Sequence, residues 1–195
     1  MKAPNGQPTK LTERQWLQVR TKAFKEWFGD WINVPENASK VVDENGEPLV
    51  VYCASRWGNM FDSNRNYNVF DETKSPLFNG ERRGYYFTNK ESAISLYTGN
   101  NLRAFFLNIR KPEASNNFNL LQAGIEEEVF KDNDGQIFSP KGINDTTFEV
   151  RAFNSNQIKS ATDNVGTFST TDNNIYKENI PFENEKAIGK QDSKL

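Results

Sequence analysis

The residues able to carry chemistry in this chain are few, because the sequence contains no histidine. Ser-His-Asp and Cys-His catalysis are therefore excluded, as are zinc sites that contain histidine, and one cysteine cannot build a zinc site from thiolates. Acid–base work falls to carboxylates, tyrosine or lysine. The candidates for a functional site are the segment Tyr52–Ser55, the pair Tyr85-Tyr86, Tyr97 and Glu149.

The segment Leu49–Ser55 is apolar and β-branched at first and becomes small and polar after the only cysteine, Cys53. This pattern predicts a buried strand that delivers its last residues to a cleft, so we expect Tyr52 to Ser55 to face the functional site. The pair Asn45-Gly46 before it is typical of a tight hairpin turn. Val41-Val42 should therefore pair with Val50-Val51.

The composition predicts one soluble domain. A chain of 195 residues can bury a substantial core, and its 15 Phe, 6 Tyr and 4 Trp supply the burial that a disordered chain lacks. The net charge of -2, without a run of Lys or Arg, makes nucleic acid an unexpected partner. No apolar run approaches the roughly 18 residues of a membrane span, and the N-terminus lacks a secretory signal. With one cysteine, a reducing, cytoplasmic location is expected.

The pattern of apolar residues sets the expected organisation. Residues 1–10 are predicted to be a flexible lead, residues 11–176 one domain, and residues 177–195 a polar, mobile tail. A helix over 14–28, with Thr12 as N-cap and Gly29 as its stop, carries an apolar face. The members of that face recur at three- and four-residue steps and favour core packing over ligand stacking: Trp16, Val19, Ala23, Phe24, Trp27 and Phe28.

Beyond the hairpin, the patterns predict alternating strands and helices. Strands are expected over 84–88, 104–109, 136–138 and 148–153, and helices over 91–97 and 119–130. Asn89 is the expected cap and Gly99 the expected stop of the first of these helices. The long polar segment 56–80 is interpreted as a lid or binding loop over the cleft.

Each candidate also has a purely structural interpretation. Cys53 is more typical of a small buried side chain than of a nucleophile, because no imidazole exists to activate it. Tyr86 taken alone fits an ordinary strand aromatic, and Glu149 taken alone fits a surface carboxylate. A calcium loop around Asp134-Gly135 is excluded, because it would put Phe130 and Lys141 at ligand positions.

Several blocks in one order raise these candidates above the structural interpretation. The blocks are 20–31, 38–42, 45–52, 84–88 and 156–168. Together they resemble the ADP-ribosyltransferase-like domain of the polyvalent proteins of phages and conjugative elements. The resemblance covers roughly residues 14 to 176, and several long blocks in register are far more specific than a short motif.

That family is similar to the His-Tyr-Glu ADP-ribosyltransferases, which include diphtheria toxin and the poly(ADP-ribose) polymerases. The resemblance implies an α+β fold with a split β-sheet core, in which two packed antiparallel sheets clasp NAD as the substrate. Tyr86 and Tyr97 match the aromatic residues that hold the nicotinamide ring between them. Glu149 matches the catalytic glutamate, which holds the nicotinamide ribose and stabilises the positive charge that develops as nicotinamide leaves.

The chain departs from the family at the end of the first strand. Where the family reads Val-Tyr-His-Gly-Thr, this sequence reads Val51-Tyr52-Cys53-Ala54-Ser55. Cys53 replaces the histidine that hydrogen-bonds an NAD ribose, Ala54 replaces the glycine beside the nicotinamide amide, and Ser55 keeps the hydroxyl. A lost hydrogen bond of this kind costs about 0.5–1.5 kcal/mol.

Three functions follow as hypotheses. The first is an NAD-dependent mono-ADP-ribosyltransferase that modifies a host macromolecule in the bacterial cytoplasm during phage or plasmid entry and releases nicotinamide. The second is a degenerate transferase fold that acts as a protein-interaction module, which the replacement by Cys53 and Ala54 motivates. The third is NAD hydrolysis at the same site.

Overall fold

The computed structural model describes residues 1–54, 69–70, 77–78, 81–82, 84–97, 102–115, 127–139, 148–164, 166 and 168–176. Its helices are α1 (Glu13–Gln18), α2 (Lys22–Phe28), α3 (Lys90–Tyr97) and α4 (Glu127–Asp132), with short 3-10 turns at Pro35–Asn37 and Ser155–Gln157. Its strands are β1 (Val51–Ala54), β2 (Leu77–Phe78), β3 (Glu81–Arg82), β4 (Tyr85–Thr88), β5 (Leu102–Leu107), β6 (Pro112–Ser115), β7 (Gly135–Phe138), β8 (Glu149–Ala152) and β9 (Ile158–Ser160). The α+β class expected from the sequence is confirmed.

Seven of these strands form one mixed sheet in the order β6-β7-β8-β4-β1-β5-β9, and β2 and β3 pair separately. The expected core of two purely antiparallel sheets differs from this arrangement, because β6 and β7 run parallel. The pairing between neighbouring strands is least extensive at one junction of the sheet. β1 and β4 are joined through the single pair Tyr52–Thr88, whereas each other pair of neighbours in this sheet is joined through three or four.

The two faces of the sheet carry different side chains. One face packs into the main core, and its members include Val51, Cys53, Tyr85, Phe87, Phe105, Leu107, Val150, Ala152 and Ile158. On the other face, Ala104 and Phe106 of β5 are covered by α1 and α2 through a second core that includes Phe24, Trp27 and Phe28. Because side chains alternate along a strand, the β4–β8 part of this second face carries polar residues. This side of the sheet is called the polar face below.

The predicted N-terminal helix is two helices. Thr12 caps α1 as expected, in a capping box with Gln15, and Gly29 ends α2 with a φ of 100°. The break lies at Thr21, whose backbone is extended. Its hydroxyl oxygen accepts a hydrogen bond from the backbone amide of Phe24 and so caps the second helix. A threonine with this competing cap outweighs the continuous apolar pattern, because its side chain satisfies a backbone donor that the start of a helix leaves unpaired.

The Asn45-Gly46 turn is confirmed, but its register is not the expected one. Val42 lies opposite Pro48, and the amide of Leu49 donates to the carbonyl of Val41. Val51 pairs with Phe105 of β5. The partner of Val42 is thus two residues closer to the turn than the predicted Val50, because the backbone amide of Asp43 donates to the carbonyl of Glu47.

Residues 1–10, expected to be a flexible lead, form a second turn of the same type. Lys2 lies opposite Pro8 as Val42 lies opposite Pro48, and both turns have the form Asn-Gly-x-Pro. The two turns are in contact, since the side-chain amide nitrogen of Asn5 donates to the side-chain oxygen of Asn45 at 2.9 Å. Ala3 is buried. The structure thus packs this segment onto the domain through side-chain contacts that the local sequence pattern does not reveal.

The remaining expectations divide into three groups. The strands at 84–88, 104–109, 136–138 and 148–153 and the helix at 91–97 are confirmed within one or two residues, with Asn89 as cap. β6 and β9 were not predicted. Outside the described residues lie Ser55, Gly99, most of 56–80, residues 119–126 and the tail 177–195.

Candidate functional site

Tyr86 and Glu149 are positioned by two neighbouring antiparallel strands. Tyr86 of β4 lies directly across from Arg151 of β8, and Thr88 lies directly across from Glu149. Residues opposite each other point to the same face, as do residues two apart on one strand. Tyr86, Thr88, Glu149 and Arg151 therefore share the polar face, with Tyr86 and Glu149 as diagonal neighbours about 7–8 Å apart.

The glycine of the Gly84-Tyr85-Tyr86 motif allows this strand pair to form. Gly84 has a φ of +67°, and a Cβ built there would lie 2.5 Å from the carbonyl oxygen of Ala152. Only glycine combines this backbone conformation with so close an approach to β8. Gly84 therefore fixes the start of β4, and with it the position of Tyr86.

Thr88 anchors the other end of the strand pair. Its hydroxyl donates to the backbone carbonyl of Phe148 at 2.7 Å, directly before Glu149. The next residue along the chain, Asn89, accepts a hydrogen bond from the amide of Ser92 and begins α3. The turn from strand to helix is thus held on both sides next to the carboxylate.

Glu149 is partly buried, and its environment acts on its charge in two opposing ways. Burial raises the pKa of the Glu149 carboxyl above its ordinary value, and the positive charge of Arg151 offsets part of this effect. Burial is the larger of the two influences, so the pKa stays raised. A carboxylate in such a place responds strongly to a positive charge that develops beside it.

Tyr52 lies on the same face as Glu149, between Thr88 of β4 and Ala104 of β5. Its ring is half-buried and packs against the second core. Burial raises the pKa of its hydroxyl, and the negative charge of Glu91 on α3 adds to the effect. Tyr52 is therefore a neutral side chain at the junction of the two halves of the sheet.

Cys53 points away from this group. It lies opposite Arg103 and belongs to the main core on the other face of the sheet. Burial raises the pKa of the thiol to about 12, although the charge of Arg103 works in the opposite direction. The thiol is thus neutral at physiological pH and does not share a face with Tyr86 or Glu149.

The other predicted site residues lie at the ends of described elements. Ala54 is the last residue of β1 and pairs with Leu102, and Tyr97 is the last residue of α3, which packs against β1 and β4. The structure describes the backbone of Ala54 and Tyr97. Ser55 lies outside the described residues.

Arg151 is the site residue that the sequence analysis missed. It is fully buried, and its guanidinium carbon lies 4.5 Å from the centroid of the Tyr86 ring. The period-two alternation of residues 148–153 already places Arg151 on the same face as Glu149, and this signal could have found it. Its contact with Tyr86 depends on the register of β4 against β8, which the alternation alone does not give.

The arrangement suits stabilisation of positive charge. In the described ranges, no cluster of acidic and cysteine side chains is placed to hold a metal ion. A half-buried aromatic ring and a carboxylate on one face can contact a flat ring and an adjacent cationic centre.

The described part of the chain includes no helix with the length and apolar character needed to cross a membrane.

Comparison of the chain with protein-family models, with curated proteins and with solved structures gave no match. The functional inference therefore depends on the geometry of Tyr86, Glu149 and their neighbours and on the resemblance of the sequence motifs.

Proposed function

We propose that this protein is an NAD-dependent mono-ADP-ribosyltransferase that modifies a host macromolecule. The observation that carries the proposal is the placement of Tyr86 and Glu149 on one face of two paired strands, in the register Thr88–Glu149. These are two of the motif residues that the resemblance assigns to the nicotinamide ring and the nicotinamide ribose. Motif residues that are 63 positions apart in the sequence thus become neighbours.

The sheet supports the finer fold assignment as well. Its halves β6-β7-β8-β4 and β1-β5-β9 are joined by the single pair Tyr52–Thr88. A split core needs a line along which two half-sheets separate, and a junction of one residue pair is the weakest line in this sheet. Glu149 lies directly across from this junction, so a substrate held at the junction would contact its carboxylate.

In the proposed reaction, the bond between the ribose C1 atom and the nicotinamide nitrogen breaks. Both electrons stay with nicotinamide, whose ring becomes neutral, and positive charge builds up on the ribose. Tyr86 would hold the flat leaving group, and the ionised carboxylate of Glu149 would stabilise the ribose cation. A nucleophile of the acceptor then bonds to C1 and releases its proton.

The test is incubation of the purified protein with labelled NAD and host lysate. We expect free nicotinamide and a labelled macromolecule, and we expect Glu149→Gln to reduce both by about 10²-fold or more, since the variant keeps the shape but loses the charge. Tyr86→Leu serves as a second variant and should raise KM for NAD. Nicotinamide release equal in the parent and in Glu149→Gln would contradict the proposal.

One observation favours a second candidate, a transferase fold that acts as a protein-interaction module. Cys53 replaces the family histidine, and it lies in the main core with a neutral thiol. The chain therefore offers no side chain at this position to bind a ribose from the polar face. Titration calorimetry with NAD separates the two candidates. Binding of NAD that is abolished in Tyr86→Leu supports the transferase, whereas no heat of binding at millimolar NAD supports the protein-interaction module.

NAD hydrolysis would use the same residues. It is distinguished by the fate of the label, which ends in free ADP-ribose rather than on a macromolecule.

A further inference from the structure

Four side chains form a continuous row across the polar face of the sheet. Glu113 of β6, Gln136 of β7, Arg151 of β8 and Tyr86 of β4 lie directly opposite one another in turn. The amide nitrogen of Gln136 donates to the carboxylate of Glu113, which fixes the far end of the row. The near end is the ring of Tyr86, in contact with the Arg151 guanidinium.

Arg151 is an unusual residue for this position if packing were its only role. It is 0% exposed, in the middle of a strand whose neighbours Val150 and Ala152 are also buried. Burial of a guanidinium is expensive unless other groups compensate its charge, and an apolar side chain would fill the same space without that penalty. The presence of a cation here thus indicates a role for its charge and its planar shape.

The planar shape acts on Tyr86. A guanidinium that stacks on an aromatic face holds the ring through a cation–π contact, which is strongest where water is excluded. At 4.5 Å from the ring centroid, the Arg151 group occupies one side of Tyr86. The plane of the ring is thereby fixed, and a flat ligand would use the opposite side.

The charge acts on Glu149. Arg151 and Glu149 are two residues apart on β8, which places both on the polar face about 7 Å apart along the strand. The residues directly across from Glu149, Thr88 on β4 and Phe138 on β7, carry no charge. Among the described residues, Arg151 is the charged group that acts on this carboxylate, while Glu91 of α3 acts on Tyr52.

We propose that Arg151 is a positioning residue of the candidate site, with a guanidinium that fixes the ring of Tyr86 and supplies the positive charge beside the carboxylate of Glu149. This inference rests on the proposed function for its consequence in catalysis, because an ionised Glu149 and an oriented Tyr86 are what that reaction needs. The two physical effects on Glu149 and Tyr86 are properties of the protein without substrate.

The test uses Arg151→Met, which keeps length but loses charge and planarity, and Arg151→Lys, which keeps charge but loses planarity. The titration of Glu149 is followed by NMR on protein with ¹³C-labelled glutamate, with Glu149→Gln to assign the signal. We expect the titration midpoint to move to higher pH in Arg151→Met and to remain close to the parent in Arg151→Lys. A merely structural role would not produce this difference.

Activity gives the second readout. Arg151→Met should lower kcat/KM for NAD by about 2- to 30-fold, the range expected for loss of a cation–π contact, and Arg151→Lys should lower it by less, because an ammonium keeps the charge but not the planar stacking group. In Arg151→Met the acidic limb of the pH–rate profile should also move to higher pH, in parallel with the NMR midpoint. Arg103→Met, on the opposite face of the same sheet, is the control and should leave the Glu149 midpoint unchanged.

An unchanged Glu149 midpoint in folded Arg151→Met overturns the inference. If that variant does not fold, Arg151→Gln replaces it, since it is neutral yet polar. The titration needs no NAD, so the two proposals fail separately. If the Glu149 midpoint shifts in Arg151→Met but the parent protein never turns over NAD, the transferase proposal fails and the effect of the Arg151 charge on Glu149 stands. If the parent turns over NAD but the Glu149 midpoint is unchanged in Arg151→Met, only the proposed role of Arg151 fails.

Discussion

Cys53 in β1 lies directly across from Arg103 in β5, on the face of the sheet that forms the main core. Tyr86 and Glu149 lie on the other face. The position that carries a histidine in the family that the sequence resembles is therefore separated from the candidate site by the sheet itself. Its side chain is a core residue in this protein.

The first prediction concerns the reactivity of Cys53. With its pKa raised to about 12, about one thiol in ten thousand is ionised at pH 8, and the thiolate is the reactive form. We expect a maleimide or a disulfide reagent to label the native protein far more slowly than the same protein unfolded in urea. Rapid labelling of the folded protein would instead place Cys53 at a solvent-open cleft.

The second prediction concerns the ion pair that joins the turn at Asn45-Gly46 to the segment between α1 and α2. Arg20 donates to the fully buried carboxylate of Glu47 at 2.7 Å, and its guanidinium stacks on Trp16. Arg20→Met would leave a buried charge without its cationic partner, so we expect a loss of about 3–5 kcal/mol in the free energy of unfolding, measured with urea.

Two further variants make that measurement specific. Arg20→Met combined with Glu47→Met removes both charges and should be less destabilising than Arg20→Met alone, since a buried pair can often be replaced by apolar residues. The exposed pair Lys22–Glu26 is the matched control, and Lys22→Met should change stability by less than about 0.5 kcal/mol. Equal losses for Arg20→Met and Lys22→Met would contradict the assignment.

The third prediction concerns pH. Because burial raises the pKa of Glu149 above its ordinary value of 4.5, the folded state keeps a proton that the unfolded state has already lost. Stability from this group is therefore full at low pH and falls as pH rises through the raised pKa. Glu149→Gln should have a higher Tm than the parent at pH 7, and the difference should shrink as pH falls through the raised pKa and be lost below the ordinary value of 4.5.

The comparison between variants removes the contributions of other acids. Burial also raises the pKa of Asp43, and this group titrates equally in the parent and in Glu149→Gln. A lower Tm for Glu149→Gln at pH 7 would mean that the charge of Arg151 outweighs the effect of burial.

The fourth prediction concerns the glycine that begins β4. Gly84→Ala combines a positive φ with a Cβ that would lie 2.5 Å from the carbonyl oxygen of Ala152, so β4 and β8 must move apart. Gly46→Ala is the matched control, because its φ is +76° but no atom lies within 4 Å of the new Cβ. We expect losses of about 1–2 kcal/mol for Gly46→Ala and clearly more for Gly84→Ala in urea unfolding.

Equal losses for the two alanine variants would show that β8 yields easily at this point. The activity of Gly84→Ala adds a second readout, since displacement of β4 should also misplace Tyr86 and reduce nicotinamide release.

The parts of the fold that were predicted correctly depend on local chemistry. The caps at Thr12 and Asn89 and the turn at Asn45-Gly46 follow from side chains that satisfy or replace nearby backbone hydrogen bonds. The alternation of residues 148–153 identified a strand, because successive side chains on a strand point to opposite faces. Each of these signals depends only on residues within a few positions of one another in the sequence.

The parts that were missed are of two kinds: competing local hydrogen bonds, at Thr21 and in the hairpin, and a strand partner far away in the sequence. Thr21 divides the N-terminal helix, and the hairpin register is set by Asp43 and Glu47 rather than by the valine pairs. β6 pairs parallel with β7 across a long connection, and no local pattern specifies such a partner.

By itself, the sequence determined which side chains could act in this protein: the absence of histidine excluded whole classes of catalysis, and the motifs singled out Tyr86 and Glu149. Only the tertiary structure decided which of them share a face. One residue of register separates the two faces of a strand, so the pairing of Tyr52 with Thr88 and of Tyr86 with Arg151 places Cys53 in the core and Arg151 behind the aromatic ring.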